Sequence, residues 1–228
     1  MRDTPTPAPP APPAAGSDRL RAYLDSTFVD HGFLRALYSH RFQVSPRYWR
    51  SSQPGPMQLR WARDKGIKTI VNLRGQRDTC GSYILERDAC RSLGLQLVNF
   101  PTRSRGVPKP ETIFGADELF RTVEYPVLVH CKAGMDRVGF MTVLYRFLQE
   151  GVPLERALTS LSLRYGHVKT AKTGRLSYFF KVYMRRNAQE PIDFLDWVAK
   201  EYDPDQMVEE FRSSYWSNVL VDRVLRRE

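Results

Sequence analysis

The sequence predicts an α/β fold built on a mostly parallel sheet flanked by helices, and three observations carry that expectation. From residue 46 onward, short apolar runs alternate with helix-periodic stretches, the pattern of strands joined by crossover helices. One apolar run, Val127 to Val129, passes through a glycine-containing loop into a stretch with a broad apolar helical face. The composition, 42% hydrophobic and 12% aromatic over 228 residues, is enough for one sizeable domain with a real core plus extensions.

Taken along the chain, residues 1–16 are dominated by Pro and Ala without apolar periodicity, so they are expected to form a disordered or polyproline-like tail. They lack the apolar core of a signal peptide. Residues 17–40 place Leu20, Leu24, Phe28, Phe33, Leu34 and Leu37 among charges, which predicts a helical N-terminal extension broken near His31-Gly32. The main domain is expected over 41–187. Within it, 47–52 and 67–73 read as strands, 81–93 as a helix, 95–100 as a strand and 111–124 as a helix. The strand beginning at Val127 follows. Helices are then expected over 137–150, 153–165 and 171–186, with Gly151 and Pro153 marking one boundary. Residues 188–228 predict a helical C-terminal extension anchored by Trp197, Phe211, Trp216, Val219, Leu220 and Leu225, which packs on the core.

The stretch richest in chemistry is 127–140, Val-Leu-Val-His-Cys-Lys-Ala-Gly-Met-Asp-Arg-Val-Gly-Phe, where an arginine follows a cysteine by six positions. A loop that opens onto a helix N-terminus directs unpaired backbone N–H groups at an anion, and the helix dipole adds to the attraction. Phosphate suits such a cradle. The same field favours the thiolate form of Cys131, the nucleophilic form, and Arg137 can fork onto two phosphate oxygens. Lys132, Ala133, Gly134, Met135, Asp136 and Arg137 would line the phosphate. The bland alternative makes Cys131 a small buried hydrophobe, and it requires the spacing, the glycine and the strand-to-helix context to coincide by accident.

The run His130-Cys131-Lys132-Ala133-Gly134-Met135-Asp136-Arg137 resembles the signature loop of the cysteine-dependent protein-tyrosine and dual-specificity phosphatases. Tyr48-Trp49-Arg50-Ser51-Ser52-Gln53-Pro54, Gly66 to Arg74, and Arg164-Tyr165-Gly166-His167 are similar to segments of a bacterial branch of compact dual-specificity-like phosphatases, so the resemblance spans 41–187. It implies a phosphotyrosine-phosphatase-like fold and hydrolysis of phosphomonoesters through a phosphocysteine intermediate, with Cys131 as nucleophile and Arg137 as phosphate clamp. Rhodanese-like domains also carry a cysteine loop at such a junction, but they usually lack the other segments.

Two departures from the family pattern bear on the chemistry. Val138 stands where the family usually has Ser or Thr, whose hydroxyl eases departure of the thiolate when water hydrolyses the phosphocysteine; a slow second step is expected. The stretch 97–108, where the resemblance puts the general acid, contains no carboxylate. Asp136 is the candidate in its place, because an Asp immediately before the signature Arg is similar to the pattern of myotubularin-like and Sac-like lipid phosphatases. The competing role for Asp136 is to pair with a cation or orient the loop. Asp117 and Glu118 are expected to be solvated charges. Arg103, Arg105 and Lys109 could draw in an anionic substrate. Lys132 resembles the Cys-Lys-Ala-Gly loop of phosphoinositide phosphatases, and its charge would sit at the pocket rim. His130 is expected to hold loop geometry and support the thiolate, whereas the 164–167 segment is given no chemistry.

The remaining bounds concern partners and compartment. The net charge of +10 comes from 35 Lys and Arg against 25 Asp and Glu, but no nucleic-acid reading module accompanies it. A weak contact of the terminal Arg223, Arg226 and Arg227 with anionic membrane is the rival to simple helix-dipole compensation. The four histidines lack ligand spacing, so neither a metal site nor a cofactor is expected. Three cysteines argue against a disulfide framework and for a reducing, cytoplasmic setting, with Cys80 and Cys90 expected to be packing residues. The partner implied is a phosphorylated protein or a small anionic phosphate substrate; a binding module with impaired turnover remains the alternative, and oligomeric state is not legible.

Overall fold

The computed structural model describes residues 40–103, 106–167 and 174–212. Five strands, β1 (Phe42–Ser45), β2 (Tyr48–Ser51), β3 (Thr69–Asn72), β4 (Gln96–Asn99) and β5 (Val127–His130), form one sheet in the order β1-β2-β5-β3-β4. The β1–β2 pair is antiparallel, and β2, β5, β3 and β4 run parallel to one another. The helices are α1 (Pro56–Asp64), α2 (Gly81–Leu93), α3 (Pro110–Thr122), α4 (Asp136–Leu148), α5 (Leu154–Ala157), α6 (Gly174–Gln189) and α7 (Phe194–Lys200).

The central strands are buried on both faces, which is why they read as continuous apolar runs. Alternation still sorts their side chains. Val127 and Val129 of β5 and Val71 of β3 enter the larger core, under α3, α4, α6 and α7, whereas Leu128 and Ile70 enter a smaller one with Leu59 and Ala62 of α1 and Cys90 of α2. Full burial of each aliphatic side chain stabilises the sheet by roughly 1.5–3 kcal/mol. The register then sets the position of the site. Ser51 and Asn72 both align with His130, so three adjacent strands end at one level and their following loops leave side by side. That edge, at the carboxyl ends of the parallel strands, is where open α/β sheets bind ligands.

Most elements fall where the sequence puts them; the helix over 81–93 is reproduced residue for residue, ended by Gly94 in the left-handed conformation (φ 70°). Three do not. The helix α1 fills the stretch between the first two expected strands, to which no element was assigned. The antiparallel strand β1 lies ahead of the point where the alternating pattern begins. The expected helix over 153–165 is instead the short α5 followed by 3-10 turns at Leu158–Ser160 and Leu163–Tyr165. The physical reason is competition for carbonyls: Thr159 Oγ1 donates to the Arg156 carbonyl at 2.7 Å, and the Ser160 carbonyl, which would continue the helix, accepts instead from the guanidinium of Arg50 at 2.9 Å.

The C-terminal segment joins the same core. Phe194, Trp197, Tyr202 and Met207 belong to the larger cluster, with the Trp197 ring 5.4 Å from that of Phe179, and helical turns continue over 204–212. Tyr202 Oη donates to the Pro108 carbonyl at 2.6 Å, tying this segment to the loop that precedes α3. Among the described residues, no helix is long and apolar enough to cross a membrane. The expected tail over 1–16 and helical extension over 17–39, and the basic terminus with Arg223, Arg226 and Arg227, lie outside the described residues.

Candidate active site

Cys131 follows β5 directly and is almost fully buried, with 3% of its surface exposed. The chain then turns through Lys132 and Ala133, both exposed, to Gly134, whose φ of 75° is open to glycine at little steric cost. Space demands glycine here as well, since a Cβ would fall 2.6 Å from the Ser52 backbone nitrogen. The Gly134 N–H donates to Cys131 Sγ at 3.2 Å, so the loop folds back over the sulfur. Met135 precedes α4 and no side chain caps that helix, which leaves its first N–H groups facing the loop.

Asp136 opens α4 and Arg137 follows within the first turn. Arg137 Nη1 donates at 3.2 Å to the Leu73 carbonyl, which also accepts from the Thr102 backbone N–H at 3.1 Å. The arginine and the loop after β4 therefore meet at the end of β3. Of that loop, Arg103 and Lys109 are exposed, and Arg105 lies outside the described residues. A cavity of about 140 Å³ lies beside it, with Arg103, Lys109, Phe140 and Leu176 in its wall. Val138 is fully buried, as is Thr142 one turn on, whose hydroxyl donates to the Val138 carbonyl at 2.7 Å.

Asp136 has a partner. Its Oδ1 lies 2.7 Å from Nδ1 of His167, an imidazole with no exposed side-chain surface, while the carboxylate keeps 28% of its own. The 164–167 segment, given no chemistry on sequence, thus supplies the contact that orients Asp136. It also packs close: a Cβ on Gly166 would come within 3.0 Å of the Met135 side chain. Asp117, expected to be solvated, is buried at 7% exposure, where it accepts from Gln149 and pairs with Arg121 at 2.9 Å. Its place in the helix face that covers α4 accounts for the difference.

Below the loop lies a buried polar chain. His130 Nε2 sits 2.5 Å from Glu86 Oε1, both side chains being wholly enclosed. Glu86 Oε2 accepts from Gln53 at 2.9 Å, Gln53 Oε1 accepts from Arg74 at 2.7 Å, and the Gln53 backbone N–H reaches the Lys132 carbonyl. The imidazole of His130 thus faces α2, so its link to the loop runs through Glu86 and Gln53. Cys90 packs in the smaller core, where burial pushes its thiol up, and Cys80 touches Arg74 Nη2 at 3.8 Å. Among the described residues no group of three or more His, Cys, Asp or Glu side chains could hold a metal ion.

Arg50, Glu86, Gln53 and His167 are the site residues that sequence reasoning gave no role. The available signal was charge out of place: Arg50 interrupts a strand and Glu86 the apolar face of α2, and charged residues are almost never fully buried unless partnered.

The central-strand cysteine, the loop folded on its sulfur and the arginine in the next helical turn are the shared architecture of the dual-specificity-like branch of the protein-tyrosine-phosphatase superfamily. Residues 38–176 match the family described as PTP-NADK, the DSP-PTPase phosphatase fused to NAD+ kinase, and the chain belongs to that family. Similar proteins include the probable NAD kinase 2, chloroplastic, of Oryza sativa subsp. japonica, 29% identical over 140 residues that make up 59% of this chain and 14% of the rice protein. The dual specificity protein phosphatase TpbA of Pseudomonas aeruginosa strain UCBPP-PA14 is 26% identical over 123 residues, 53% of this chain and 52% of TpbA. The chain therefore spans about half the length of TpbA and a small part of the plant protein. The crystal structure of P. aeruginosa TpbA shares the fold with a TM-score of 0.51 at 18% identity, over 76% of this chain and 91% of that one.

Proposed function

We propose that this protein is a cysteine-dependent phosphatase that hydrolyses phosphomonoesters, on phosphorylated protein first of all, through a phosphocysteine intermediate. The observation that carries the reading is the folded loop: the Gly134 N–H on Cys131 Sγ at 3.2 Å, ahead of an uncapped helix whose first turn holds Arg137. The loop N–H groups and Arg137 match the oxygens of a phosphoryl group brought up to the sulfur. In the first step the thiolate attacks phosphorus in line while the ester oxygen departs, and Asp136, held by His167, gives that oxygen its proton. The product alcohol leaves. In the second step water attacks the phosphocysteine, Asp136 takes the water proton, and the Cys131 thiolate departs to leave inorganic phosphate. This reading sets the reaction in the reducing cytoplasm, where the free thiols persist.

The relatives' description as phosphatases fused to NAD+ kinase supports a second substrate, a small phosphorylated metabolite, because such a domain then shares a chain with an enzyme of dinucleotide phosphorylation. The exposed Lys132 at the loop rim suits either an anionic metabolite or a phosphoinositide-like head group. Hydrolysis of an aryl phosphate, an alkyl phosphate, a phosphotyrosyl peptide and a nucleotide 2′-phosphate by wild type, Cys131→Ser and Asp136→Asn tests these roles together. Cys131→Ser is expected to abolish turnover. Asp136→Asn should slow alkyl phosphates by about 10²–10⁴-fold, the usual contribution of a positioned acid, and affect activated aryl phosphates far less. Equal losses on both leaving groups would remove Asp136 from the acid role, and phosphate binding without turnover would make the domain a recognition module.

A further inference from the structure

Arg50 is a cation in the wrong place for a solvated role. It lies in β2 with 0% of its surface exposed, and among the described residues no carboxylate pairs with it. Its guanidinium is spent on backbone instead. Nη2 donates to the carbonyls of Gly134 and Met135, each at 3.1 Å, and Nη1 donates to the carbonyl of Ser160 at 2.9 Å. The ring of Tyr165 lies 4.3 Å from the guanidinium carbon. Burial pushes the guanidinium below its ordinary value, and the neighbouring Tyr48 and Tyr165 draw it back up.

The peptide plane converts these contacts into an effect on the loop. In a trans peptide the C=O and the following N–H point in opposite directions. A guanidinium that draws the Gly134 carbonyl to itself turns the Met135 N–H the other way; it shares the Met135 carbonyl with the Gly139 N–H, which donates at 2.8 Å, and so adds to the helix's own hold on the Asp136 peptide. We infer that Arg50 is a positioning residue of the phosphate cradle, which holds two loop peptides from behind so that their N–H groups face the anion. The planar fork matters, because Nη2 makes both loop bonds and Nη1 the bond to Ser160, and the single nitrogen of an ammonium cannot occupy both places. This inference rests on the reading of the loop as a phosphate site.

The test is alkylation of Cys131 by iodoacetamide in the full chain, followed on the Cys131 peptide by mass spectrometry, with inorganic phosphate as protectant and thermal unfolding in parallel. In the wild type, phosphate should protect Cys131. In Arg50→Lys, half-protection should need about tenfold more phosphate or beyond, since each donor turned away from a charged acceptor forfeits a charge-assisted hydrogen bond. In Arg50→Met protection should fall further. Should Arg50→Met fail to fold, Arg50→Lys carries the test alone. A folded Arg50→Lys with wild-type protection overturns the positioning role, whatever its melting temperature. No protection in the wild type overturns the phosphate-site reading itself and the role of Arg50 with it.

Discussion

Val138 fills a fully buried position at the first turn of α4, and the nearest hydroxyl along the helix, that of Thr142, is engaged by the Val138 carbonyl at 2.7 Å. In the proposed reaction the Cys131 thiolate would depart without the hydroxyl donor that the family pattern supplies. Val138→Ser is expected to speed the second step and shrink the pre-steady-state burst, even though burying a hydroxyl costs about 1–3 kcal/mol if it finds no partner. Stopped-flow release of aryl leaving group reads both quantities; an unchanged burst would assign the slow step elsewhere. At this scale the loop that carries Cys131, Gly134, Asp136 and Arg137 was legible because its residues lie in one short stretch between a strand and a helix. Arg50 was not, since the loop carbonyl it holds at Gly134 lies 84 residues away, and His167 meets Asp136 across 31. No local pattern encodes a contact of that span.

Between elements, α4 comes close to the 3-10 turn at Leu158–Ser160. A Cβ on Gly139 would lie 2.7 Å from Leu161 Cδ2 and 3.1 Å from the Ser160 carbonyl oxygen. The leucine tip can rotate away, but the carbonyl is already pinned by Arg50. Gly139→Ala is thus expected to destabilise the fold by about 1–3 kcal/mol, the usual range for overpacking, and to weaken phosphate binding by displacing the turn that shares Arg50 with the loop. Urea unfolding measures the first effect; no loss of stability would mean that the turn shifts freely. The strand and helix bounds around the site were readable because apolar runs, Gly94 and Pro110 punctuate them. The broken helix over 153–165 was unreadable, because what interrupts it is a guanidinium from β2.

For the whole molecule, the larger core runs without a break from the sheet through α4 and α6 to Trp197 in α7, so the C-terminal segment and the site are expected to unfold together. Trp197→Ala should cost about 3–5 kcal/mol, the range for deleting a large buried aromatic, and should lower the urea midpoint for activity and for circular dichroism by the same amount. Separate midpoints would show that the segment folds as a unit of its own. The α/β class, the mostly parallel sheet and the placement of the site at the strand ends followed from the alternation of apolar runs and helices. The antiparallel edge strand and the continuity of the C-terminal helices with the core depend on tertiary packing and could not.

The measurement that bears most directly on the central claim is acid-quenched trapping during turnover of an aryl phosphate, with the Cys131 peptide analysed by mass spectrometry. The account predicts a phosphoryl group on Cys131 that accumulates before the steady state, because Val138 leaves the second step slow, and disappears in Cys131→Ser. Steady release of phosphate with no burst and with Cys131 unmodified throughout would contradict it.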